Sequence, residues 1–95
     1  MTTSSPIQVA YIAVNSGTTA AANAGIVHVN DNTTASSSAT LTLPTSGVNN
    51  GQIMMISTSD PDGLVITYGS GLNFSINNES VVRFVRVANV WKAEF

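Results

Sequence analysis

The sequence predicts an all-β fold: a small antiparallel β-sandwich of jelly-roll type, built from about eight short strands. Three observations carry this. Apolar and polar residues alternate with period two in short segments, most strictly in Ala39-Thr40-Leu41-Thr42-Leu43, which Pro44 stops because it cannot donate to a ladder. Turn clusters of Gly, Asn, Ser and Pro recur every ~8 to 12 residues, the spacing of a sandwich or barrel. The one alanine-rich passage, Thr18 to Ala24, has no apolar stripe for a helix to bury and reads as loop.

The elements follow in order. Residues 1–6 are small and polar and read as a flexible N-terminal arm, and residues 7–95 read as one domain. Ile7 to Val14 is a strand with rather apolar residues on both faces, so it is expected to be covered; Asn15-Ser16-Gly17 turns after it. Gly25 to Asn30 is the second strand, with Ile26 and His28 on one face and Val27 and Val29 on the other. Asp31 to Ser38 is a polar connection, and Ala39 to Leu43 places Ala39, Leu41 and Leu43 inward.

Gln52 to Ser57 contains four consecutive apolar residues, Ile53, Met54, Met55 and Ile56. Such a strand needs apolar surroundings on both faces, whereas a two-layer sandwich leaves one face wet. These four residues are therefore the candidate subunit interface. Ser59-Asp60-Pro61-Asp62-Gly63 is a strong turn, since Pro61 is preset for its second position. Leu64 to Tyr68 is a strand, Gly69-Ser70-Gly71 a turn, and Leu72 to Ile76 a strand with Leu72, Phe74 and Ile76 inward. Asn77-Asn78 supports a hairpin turn, because Asn tolerates left-handed geometry. Ser80 to Val87 and Val90 to Phe95 form a final hairpin around Ala88-Asn89.

Composition excludes several classes. Ninety-five residues make a domain that buries only roughly 60 to 65% of its unfolded surface, and without cysteine neither disulfides nor thiolate metal sites can supplement the core. Oligomerisation is the remaining route to stability. Charged residues are 8% of the chain, with a net of −2; polarity comes instead from eleven Thr, twelve Ser and ten Asn. Arg83, Arg86 and Lys92 are too few to neutralise a phosphate backbone and read as surface or pairing residues, which argues against nucleic acid as a partner. No run of about 18 apolar residues exists to insert in a membrane as a helix, and the N-terminus lacks a cationic segment of signal-peptide type.

Chemistry-bearing patterns are sparse, and the chain reads as a non-enzyme with no cofactor and no metal. His28 is the sole histidine, and no serine sits in a Gly-x-Ser-x-Gly elbow. Asp60-Pro61-Asp62-Gly63 looks like the start of a calcium loop, but Gly71 stands where the closing Glu would be, so a plain turn is the better reading. His28 on a trimer axis could give three imidazoles to a metal, though a lone strand histidine is more often a satisfied structural residue. Tyr11, Tyr68 and Trp91 could stack on a sugar, but a chain with 6% aromatics needs them for packing.

From about Ile26 to Phe95 the chain resembles the small β-structured modules of tailed-bacteriophage virion fibres, including head fibres, tail fibres and capsid decoration proteins. The residues that carry this are Ala39-Thr-Leu-Thr-Leu-Pro44, Gly51 before the Gln52 to Ile56 strand, the Asp60 to Gly63 turn, and Leu64-Val-Ile-Thr67. The Gly69/Gly71 turn and Val82-Arg-Phe-Val85 leading to Trp91 complete the ordered set. The chain departs from the common form at Ala88-Asn89, where a glycine-containing turn is usual, and residues 1–24 have no counterpart. The resemblance implies a homotrimer and a place on the virion, bound to capsid or another virion protein. The expected function is thus a structural capsid-decoration or head-fibre subunit, with Pro6, Ile7, Val9 and Ile12 as candidate docking residues. The alternative is a host-receptor module of a tail fibre or spike that binds a surface glycan through Tyr68 and Trp91, with the loops at 31–38, 45–50 and 59–63 around it.

Overall fold

The computed structural model describes residues 10–94. They form an all-β domain of two sheets, with strands β1 Tyr11–Val14, β2 Thr18–Thr19, β3 Ile26–Val29, β4 Ala39–Thr42 and β5 Ile53–Thr58. The series continues with β6 Leu64–Gly69, β7 Leu72–Ile76, β8 Val82–Val87 and β9 Val90–Glu94. One sheet has the order β1-β3-β5-β8-β9, the other β2-β4-β6-β7.

The expected all-β fold and two-sheet layering hold, but the antiparallel, jelly-roll pairing is corrected. Strands β1 to β6 go alternately to the two sheets, so the chain winds in flat coils and like strands stack in parallel: β1 on β3, β3 on β5, β2 on β4, β4 on β6. Antiparallel pairing enters after the coils, in β5 with β8 and at two hairpins, β6–β7 and β8–β9. The physical reason is that alternation assigns side chains to faces and leaves strand direction open. Direction follows from the connections. The two-residue loops Ser70-Gly71 and Ala88-Asn89 can only fold back on the same sheet, whereas the longer ones cross between layers. Ala88 and Asn89, at φ 52° and 67°, have the double left-handed turn that matches strand twist. Asn77-Asn78 does not make a hairpin, because β7 and β8 lie in different sheets. Thr18–Thr19, read as loop, is a two-residue strand that begins the second sheet.

The core lies between the sheets as rows that run across the strands. In the five-stranded sheet the inward rows are Ile12–Val27–Ile56–Val82 and Met54–Phe84–Ala93. The other sheet contributes Ala39–Leu64–Ile76 and Leu41–Ile66–Phe74. Phe84 is the centre: Tyr68 packs on it with ring centroids 5.2 Å apart, and Phe74 meets it edge-on at 6.3 Å. Leu72, expected inward, is half exposed, because the register slips between Thr67 and Gly69. Ala20 and Ala24 are buried, so small side chains let the connection after β2 lie against the core.

Candidate functional site

Three places in this framework gather the residues that sequence singled out. The first is the outer face of the five-stranded sheet. Of the four candidate interface residues, Met54 and Ile56 point into the core and are fully buried, so they are not an interface; Ile53 and Met55 point outward. Strand pleating thus divides the apolar run between two surroundings, as a doubly apolar strand requires. Around Ile53, which is 45% exposed, the apolar outward positions of the sheet are Tyr11, Ile26, Val85, Val87 and Val90, and Arg83, Lys92 and Glu94 share the face toward β9. The corresponding outer face of the four-stranded sheet is polar, with Thr40, Thr42, Thr67, Asn73 and Ser75 around Val65. One molecule therefore has two outward sheet faces of opposite character.

Two polar pairs on this face are bonded within it, and Lys92, opposite Val85, also points outward and is exposed. His28 Nδ1 lies 2.8 Å from Ser57 Oγ on the adjacent strand, and Arg83 Nη2 donates to Glu94 Oε1 at 2.6 Å. The His28–Ser57 pair lies on an open sheet with no carboxylate bonded to the imidazole among the described residues. It lacks the third group that orients a catalytic base, and its evident effect is to satisfy two polar side chains on that face.

A second place is the turn at residues 59–63. Asp60 is 0% exposed, and its carboxylate accepts hydrogen bonds from Asn32 N–H at 3.0 Å and Asp62 N–H at 2.8 Å. Its own N–H donates to Thr58 Oγ1, whose hydroxyl donates to Val29 O. Both carboxylate oxygens are occupied by the backbone, so Asp60 ties the 31–38 connection to the turn rather than offering ligands to a cation. Among the described residues no three His, Asp or Glu side chains come together as metal ligands.

The third place is one open end of the sandwich, where Arg86, Trp91 and Tyr68 meet. Trp91 is only 2% exposed, and its indole Nε1–H donates to Pro44 O at 2.8 Å. It is consequently no open platform for a sugar ring, which corrects that expectation for Trp91. Tyr68 is half-buried against Phe84 and borders a cavity of about 390 Å³ with Thr45, Ser70, Arg86 and Asn89. Arg86 is the residue that sequence reasoning passed over. The signal was present: Val82, Phe84 and Arg86 are alternate residues of one strand, so a guanidinium follows two core side chains on the inward face.

Of the candidate docking residues, Pro6, Ile7 and Val9 lie outside the described residues. Ile12 belongs to an inward row, yet is partly exposed because β1 is the end strand of its sheet.

No protein-family model matches the chain, and no curated protein matches it. A chain in a solved structure described as "Structure of a chaperone-substrate complex" is similar in fold, with a TM-score of 0.57 and 23% sequence identity. The match covers 94% of this chain and 17% of that one, so the present chain spans about one sixth of its length. At this identity the likeness concerns the fold alone.

Proposed function

We propose that the chain is a non-catalytic structural module of a bacteriophage virion, of the capsid-decoration or head-fibre kind, that works as a homotrimer and attaches to capsid or another virion protein. The observation that carries the self-association is the apolar outer face of the five-stranded sheet, set against the polar outer face of the other sheet. An exposed apolar patch of this extent marks an interaction surface. Five strands at ~4.8 Å spacing and about 20 Å long give a face of roughly 400 to 500 Å² in projection, enough for the centre of an interface whose rim comes from neighbouring loops. His28 is bonded to Ser57 and Arg83 to Glu94, which lowers the desolvation cost of burying these groups, while Lys92 at the β9 side of the face belongs to its solvated rim. The ordered set of motifs from Ala39 to Trp91 supports the virion assignment, and the low charge supports close packing of identical copies.

The test is the mass of the native particle in solution, by light scattering and native mass spectrometry. Wild type is expected at three times the 9.8 kDa chain mass. Met55→Asp, an outward substitution, is expected to yield a folded monomer with an unchanged circular dichroism spectrum. A monomeric wild type would remove the basis of the assembly, and immunogold labelling of purified virions tests the location.

A further inference from the structure

The open end of the sandwich carries an unexplained cation. Arg86 is 9% exposed, and its guanidinium carbon lies 5.6 Å from the centre of the Trp91 ring. That contact is with the charge as a whole and supplies no hydrogen-bond acceptor to the five N–H donors. Among the described residues no carboxylate or carbonyl accepts from them: the hydrogen bonds of Arg86 are those of its backbone, with Gly51 N–H and Gln52 O. Glu94, on the neighbouring strand β9, is bound to Arg83 on the opposite face. Every buried side-chain nitrogen or oxygen among the described residues has a partner, so the donors of Arg86 that have none reach the solvent of the cavity, where an anion can take the place of water.

The space in front of Arg86 fits such a ligand. The cavity of about 390 Å³ is at the small end of ligand sites, ~300 to 1,000 Å³. Thr45, Ser70 and Asn89 add two hydroxyls and an amide at its wall, and Tyr68 adds a ring with a phenol. A neighbouring hollow of about 360 Å³ shares Tyr68, Leu72, Val90 and Trp91 and adds Lys92. No Asp or Glu lines either hollow, although the chain as a whole has a net charge of −2. A cation that can grip a carboxylate with a planar fork, surrounded by neutral hydrogen-bonding groups and one aromatic ring, is the chemistry that recognises an acidic monosaccharide.

We propose that Arg86, with Thr45, Tyr68, Ser70 and Asn89, forms a binding site for a carboxylate-bearing sugar unit of the uronic acid type. The site stands on Arg86 and its cavity and does not depend on the trimer, so a monomer that binds a uronate would remove the assembly reading and leave this one intact.

The experiment titrates the full chain with glucuronate and galacturonate, with glucose and galactose as neutral counterparts and acetate as a bare carboxylate, followed by calorimetry and amide chemical shifts. Saturable binding of at least one uronate with a Kd of about 1 mM or tighter is expected, at least about tenfold tighter than its neutral counterpart or acetate. Arg86→Met should abolish it, and Arg86→Lys, which keeps the charge but loses the fork, should weaken it. Should Arg86→Met fail to fold, Ser70→Phe, at an exposed turn bordering the cavity, must block binding with an unchanged melt. No saturable binding of either uronate, equal binding of the neutral sugar, equal binding of acetate, or binding that survives either substitution in a folded protein would each overturn the site.

Discussion

Replacing Asp60 by alanine isolates the contribution of a fully buried carboxylate to this fold. The carboxylate is fully buried and accepts two backbone hydrogen bonds, from Asn32 at 3.0 Å and Asp62 at 2.8 Å. Hydrogen bonds to a charged group contribute ~1.5 to 3 kcal/mol each. Two effects oppose one another in the variant. Removing a buried charge recovers its desolvation cost, which by itself favours alanine. The donors, however, belong to the backbone and stay where they are, so both N–H groups lose their acceptor in a site closed to water. The second effect wins, and the net loss is about 3 to 5 kcal/mol, a large share of the 5 to 15 kcal/mol typical of a domain. At ~4 to 8 °C per kcal/mol for a chain of this size, the melting temperature should fall by at least about 12 °C. Asp60→Asn should lose about half as much, because its carbonyl oxygen can satisfy one donor while its amide faces the other. Urea unfolding followed by circular dichroism measures both variants, with a constant m-value confirming that the same surface unfolds. If Asp60→Ala remains within about 1 kcal/mol of wild type, the account of this turn as a polar anchor is wrong.

Two further substitutions test the geometry elsewhere. A Cβ at Gly63 would lie 2.6 Å from the carbonyl oxygen of Ile76, at a φ of +91°, so Gly63→Ala should destabilise by about 3 kcal/mol or more; Gly17→Ala, at φ +86° with open space around it, should cost only the backbone strain of about 1 to 2 kcal/mol. Comparable losses in thermal melts of the two variants would contradict the close packing of the 59–63 turn on the end of β7. Trp91→Phe removes the donor to Pro44 O, 2.8 Å away, and shrinks a buried ring, for an expected loss of about 2 to 4 kcal/mol by chemical denaturation. An unchanged midpoint would show that the indole N–H is not holding the proline corner.

What could be read in the sequence divides along a physical line. Faces were legible, because the two-residue period of a strand is written in side-chain polarity: Val27 and Val29 against Ile26 and His28, or Leu41 against Thr40 and Thr42, fall as alternation places them. Strand direction was not, since a parallel and an antiparallel strand with the same buried face have the same pattern. The parallel coils were hidden for that reason, and because Thr18–Thr19 is too short to show a period. The four apolar residues at 53–56 were informative as a run and misleading as a patch: Met54 and Ile56 satisfy the core, and only Ile53 and Met55 remain for a partner.

Arg86 shows what the same rule yields when it is applied to a charge. Arginine is ordinarily assigned to the surface by its type, and Arg83 conforms, pairing with Glu94 on the outer face. Three residues further along the strand the pleat has reversed, so Arg86 must point where Val82 and Phe84 point, into the space between the sheets. Alternation alone thus locates a largely buried cation, and it turns Tyr68 and Trp91 from a supposed open platform into walls of the cavity that Arg86 faces. The aromatic residues were the visible part of the signal, but they act through packing. The chemistry that distinguishes this end of the molecule is a guanidinium that no carboxylate among the described residues holds, at an inward position where its strand otherwise places Val82 and Phe84.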